Sequence, residues 1–190
     1  MVVSESGLMA AMKKAYKKDG YKVAGLCRAG FEELLIGTGD WVTVMAKKNV
    51  PRKVLGLIAE HLGQLPGEGE AFQVAESAPQ TEIFHVALQL LEGMDNQDRQ
   101  WRQAKPTAIT MGGKRLWQRE GDMQVVRVAP ALEDIMLHHG RRVMMFDDER
   151  LMVDGNTSRV YISVCETKAT EEELLKHLGK VRWVSFEKEK

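Results

Sequence analysis

No stretch of this chain approaches the run of about 18 apolar residues that a helical membrane span needs. Met1 to Gly7 lacks the basic then apolar layout of a secretory signal, so the cytoplasm is the expected location. Only two cysteines occur, Cys27 and Cys165. They lack the paired spacing of a structural zinc site and are expected as free thiols in a reducing compartment. Net charge is missing too: 27 Lys and Arg balance 27 Asp and Glu. A dedicated nucleic-acid binder would carry a basic excess. No phosphate loop is present, because Gly37-x-Gly39 and Gly67-x-Gly69 lack the following helix start and the Lys-Ser/Thr pair. No Gly-x-Ser-x-Gly elbow occurs. His61, His85 and His177 have no nucleophile or acid beside them in sequence. The expectation is a protein that is not an enzyme and that carries no cofactor or metal.

What is present is the composition of an ordinary globular protein, 44% hydrophobic and 28% charged, in 190 residues. That length supports one domain or two small lobes with a real core. The charge is segregated. Residues 1–60 hold ten basic against six acidic side chains, and residues 61–98 hold none against seven. Residues 99–142 hold nine against four, and the remainder eight against ten. An acidic stretch therefore separates two basic ones, as expected where one protein presents a charged face to another or to phosphate.

Phe31 to Gly63 organises the reading. Phe31–Ile36 is a strand, Gly37-Thr38-Gly39-Asp40 a turn, and Trp41–Ala46 a second strand rich in β-branched and aromatic residues. Pro51 then suits a first helical position, and Val54, Leu55, Ile58 and Leu62 recur at helical spacing before Gly63. Lys114–Arg119, a turn, Met123–Val128 and a helix from Pro130 to Gly140 repeat that hairpin–Pro–helix unit. Elsewhere the pattern predicts a helix over 8–19, a strand at 21–28, a loop over 64–80 with 71–74 a candidate short strand, and a helix over 81–91. A polar connector follows at 93–105, with strands at 107–111, 141–146, 150–153 and 159–164. Thr170 to Glu173 is a capping box for a helix to His177, and 181–186 a last strand. The expected fold is α+β: two small lobes of mainly antiparallel sheet, an N-terminal lobe at 1–66 and a C-terminal lobe at 107–190, with the acidic loop, helix and connector at 67–106 between them.

Candidate contacts for a partner are the exposed-looking cations. Lys13, Lys14, Lys17 and Lys18 form the densest basic cluster, and Lys47, Lys48, Arg52 and Lys53 follow the first hairpin. Arg99, Trp101 and Arg102 join them, Trp101 being a large aromatic in a polar stretch that either docks on a lobe or faces a partner. A metal-dependent reading uses His138 and His139 with Asp147 and Asp148. Adjacent helical residues diverge by about 100°, which works against two neighbouring histidines sharing one ion.

Three segments carry a resemblance: Gly39-Asp40-Trp41-Val42, Val50-Pro51-Arg52-Lys53-Val54 and His61-Leu62-Gly63-Gln64-Leu65-Pro66. In these the chain resembles small accessory proteins carried by phages and mobile elements of Firmicutes. That resemblance implies a non-enzymatic protein that binds a protein or nucleoprotein partner, as inhibitors of host defence such as anti-CRISPR proteins do. The chain is also similar in layout to one domain of a DNA sliding clamp, with helices 8–19 and 51–62 lining one face. This second likeness implies direct DNA or RNA binding, which the neutral charge opposes.

Overall fold

The computed structural model describes residues 1–28, 30–82, 101–121, 125–139, 141–146 and 150–166. Helix α1 (Glu5–Lys17) starts where Ser4 accepts a hydrogen bond from the Gly7 N–H at 3.2 Å. This cap satisfies an N–H that has no partner within the helix. Glu5 opens its first turn, and Lys14 and Lys17 sit in its last, both signs matching the helix dipole. Strands β1 (Tyr21–Arg28), β2 (Phe31–Gly37) and β3 (Trp41–Ala46) follow as a meander. A 3-10 turn at Lys47–Asn49 leads to α2 (Arg52–Leu62). Pro51 is the residue before that helix, one position earlier than expected, and Gly63 ends it with φ at 84°.

Strands β4 (Ala71–Ala75) and β5 (Ala78–Glu82) form a hairpin. Then come β6 (Arg102–Met111), β7 (Lys114–Arg119), β8 (Val125–Val128) and the single-turn helix α3 (Pro130–Glu133). Strands β9 (Val143–Phe146), β10 (Arg150–Gly155), β11 (Ser158–Ser163) and β12 (Cys165–Glu166) complete the described chain.

The twelve strands make one sheet in the order β12-β8-β7-β6-β9-β10-β11-β3-β2-β1-β4-β5. Every pairing is antiparallel. Strand β3 lies against β11, with Trp41 opposite Ile162 and Met45 opposite Ser158. That pair joins the strands of the first 82 residues to those that follow residue 101.

Side chains alternate between the two faces, as the two-residue period of a strand requires. Tyr21, Val23, Leu34, Ile36 and Met45 point into the larger core, shared with Leu8 and Met12 of α1 and Val54 and Ile58 of α2. Ala24, Leu26, Leu35, Val42, Val44 and Tyr161 lie on the opposite face, where Trp101 and Met152 pack against them. The larger core runs on to Trp117, Val128, Met145 and Val153, so one apolar layer spans the sheet.

The mostly antiparallel α+β class is as expected, and four expectations need correction. The candidate short strand at 71–74 is β4, but the loop assigned to the rest of 64–80 also holds most of β5. Pro79 lies in β5, last in the strand order among the described residues, where a missing N–H costs no central pairing. The connector assigned to 93–105 already belongs to β6 from Arg102. Pro106 sits inside β6, and the register with β7 shifts between Pro106 and Thr110, because proline cannot donate to the ladder. The helix expected from Pro130 to Gly140 is a single turn. Met136 bridges to Val3 instead, and the Leu137 N–H bonds the Val2 carbonyl at 2.8 Å. Thr81 lies within β5, which runs on to Glu82, so it is not the cap of a helix. The expected elements at 83–91, 170–177 and 181–186 lie outside the described residues.

Candidate partner-binding surface

Helix α1 carries the basic cluster because its two faces differ. Leu8 and Met12 are buried to 0% exposure, with Ala15 and Tyr16 packed beside them. The helical period then turns Lys13 and Lys17 outward in one row and Lys14 and Lys18 in another. All four are exposed. Lys13, Lys14 and Lys17 form no ion pair among the described residues, whereas Lys18 meets Asp19 at 3.0 Å. That hydrogen bond, with the carboxylate's charge, raises the Lys18 pKa.

The remaining candidates divide. Lys47 is neutralised by Glu32 at 3.2 Å and Lys53 by Glu5 at 3.4 Å. Lys48 and Arg52 are exposed and make no ion pair among the described residues. Trp101 is half-buried on the face opposite α1, its ring 6.3 Å from that of Tyr161, so it docks on the sheet. Arg102 is exposed on β6, and Arg99 lies outside the described residues. Sequence position had grouped Trp101 with the lysines; strand alternation puts the sheet between them.

Helices α1 and α2 run side by side in the same direction. Lys53 at the start of α2 reaches Glu5 at the start of α1, and His61 near the end of α2 stacks on Tyr16 near the end of α1. The stacked rings are 3.8 Å apart and inclined by 10°. Burial lowers the His61 pKa, and the Lys13 ammonium lowers it further while Glu60 opposes.

A groove of about 800 Å³ lies beside α1. Lys14 and Lys18 line it from the helix, Lys22 from β1, Asp40 from the β2–β3 turn and Asp134 from the end of α3. Both signs of charge face the groove, and Lys14 belongs both to its lining and to the exposed rows, whereas Lys13 and Lys17 stand outside it.

The second titratable cluster was missed from sequence. Glu133 is only 8% exposed, and its Oε1 accepts from Arg115 Nη1 at 2.7 Å and from His138 Nε2 at 3.0 Å. His138 also packs edge-on against Trp117, with ring centroids 5.2 Å apart. Eighteen residues separate Arg115 from Glu133, and no local pattern links them. Asp147 and Asp148, the oxygen ligands of the metal-dependent reading, lie outside the described residues. Among the described residues no three His, Cys, Asp or Glu side chains are placed to hold a metal ion. No helix among them is long and apolar enough to cross a membrane.

No family model, no curated protein and no solved structure matches this chain.

Proposed function

We propose that this protein has no chemistry of its own and acts by occupying a macromolecular partner through the lysine rows of α1. The observation that carries the reading is that Lys13, Lys14 and Lys17 are exposed and lack ion pairs among the described residues, on a helix anchored by Leu8 and Met12. Paired surface cations such as Lys47 and Lys53 have already spent part of their field. Unpaired ones project theirs outward and steer an anionic partner. The sequence resemblance supports one form of that partner, a nucleoprotein of host defence such as a CRISPR nuclease, and a cytoplasmic setting. We take the two lobes as the two arms of the sheet, meeting at β3 and β11. The test is an affinity pull-down from a host lysate, with and without nuclease treatment, identifying both bound protein and bound nucleic acid. A stoichiometric protein that survives nuclease treatment supports the reading, and an empty pull-down removes it.

A second reading is direct DNA or RNA binding by the same surface. The parallel placement of α1 and α2 on one sheet face favours it, since both helices present cations from that face. It requires affinity to fall steeply with salt, by counterion release. A flat salt response would discard it.

A further inference from the structure

The chain from 134 to 137 is held at both ends. At one end Glu133 closes α3, and at the other His138 returns its ring to the Glu133 carboxylate. The residues between them receive the N-terminal segment. The Ser4 N–H bonds the Ile135 carbonyl at 2.9 Å, Val3 bridges Met136, and the Leu137 N–H bonds the Val2 carbonyl. Val2 and Val3 are fully buried by that docking, and the Val2 N–H bonds Ser158 Oγ on β11 at 2.8 Å. Ser4 is also the cap of α1.

We infer that the Glu133–His138 contact is an acid-sensitive latch, and that protonating His138 releases the N-terminal segment 2–4 from residues 135–137. The groups facing His138 are Glu133 from α3, Arg115 and Trp117 from β7, and His139 from its own segment. Glu133 already neutralises Arg115, through the same oxygen that His138 uses. A protonated His138 would put a second cation on one carboxylate, in a site where its side chain is 9% exposed. The neutral ring needs only Nε2–H to make the contact; a second proton on Nδ1 meets no acceptor among the described residues. Burial, with His139 and Arg115, holds the His138 pKa below its ordinary 6.5, against the opposing pull of Glu133. The folded chain therefore binds this proton less tightly than the unfolded chain. Latch stability is complete above pH 6.5 and is lost as pH falls below it. This inference does not depend on the partner-binding reading.

The experiment is hydrogen exchange of the Ser4 and Leu137 amides between pH 7.5 and 5, corrected for intrinsic rates and referenced to amides of the β2–β3 pair. Protection at Ser4 and Leu137 should fall about tenfold for each unit by which the His138 pKa lies below its free value. In His138→Gln, which keeps a donor for Glu133 but cannot titrate in this range, their protection should not change with pH. His139→Gln removes one of the groups that lower the His138 pKa, so its loss of protection should persist but be smaller. Equal loss in His138→Gln, or no loss beyond that of the reference amides, would overturn the latch. A direct NMR titration of the His138 ring needs no variant, and a pKa at or above 6.5 would also overturn it.

Discussion

The Tyr21 hydroxyl lies 3.1 Å from Nδ1 of His61, within the core that α1 and α2 share with the sheet. Tyr21 is fully buried, and burial raises its pKa far above the ordinary phenol value, so it stays protonated. The hydroxyl can donate to a bare Nδ1 or accept from Nδ1–H, according to the ring's tautomer. Tyr21→Phe keeps the ring and deletes the hydroxyl. It should lower unfolding free energy by about 1 kcal/mol, read by denaturant titration. An unchanged midpoint would show that the bond contributes nothing net.

Gly7 faces the end of α3 at close range. A Cβ built there would stand 1.9 Å from the Asp134 carbonyl oxygen, which is backbone and cannot swing aside. In an exposed helix, Gly→Ala gains up to about 1 kcal/mol. Here Gly7→Ala should instead cost about 3 kcal/mol, because α1 must lift off residues 134 and 135. Thermal melting decides the sign, and a stabilised variant would refute the close approach.

The lysines of α1 should separate binding from stability. Replacing Lys13, Lys14 and Lys17 together by Gln should weaken partner affinity about tenfold or more, each lost contact to a charged group being worth about 1 kcal/mol or more. The melting temperature should move little, because exposed charges contribute little to folding. Lys47→Gln and Lys53→Gln, whose ammonium groups are already paired, should leave affinity close to its starting value. Equal effects in both sets would remove α1 as the contact surface.

Trp101 should show the opposite pattern. Packed against Tyr161 and half-buried, it contributes to the second face of the sheet. Trp101→Ala should cost about 2 kcal/mol of stability, less than a fully buried tryptophan would, and leave affinity intact. Lost affinity at unchanged stability would return Trp101 to the binding surface.

Local chemistry carried most of what could be read from the chain. Tyr21–Arg28 and Trp41–Ala46 appear with their expected bounds, because β-branched and aromatic residues with a glycine turn at one end say so locally. Helix α2 follows from the spacing of Val54, Ile58 and Leu62 and from Gly63 at its end. The failures share a cause. Pro79 and Pro106 are loop signals in isolation, yet an outer strand and a register shift accommodate them. The apolar Leu132, Ile135 and Met136 match a helix, yet Val3 competes for the backbone at Met136 and wins. For the candidate surface, the lysine cluster was visible as composition, but which lysines were already paired was not. Glu5, Asp19 and Glu32 decide that in space.

The β3–β11 seam has a consequence for how the chain acquires its shape. Trp41 finds its neighbour only when Ile162 arrives, so the middle of the sheet is among the most distant pairings in the molecule. Such pairings are slow to form, because a long loop must close before any contact rewards it. A nascent chain that has emerged only as far as α2 presents β3 as a raw, apolar edge able to recruit any extended strand nearby. Synthesis of β11 therefore ends a period of vulnerability as well as joining the two arms of the sheet.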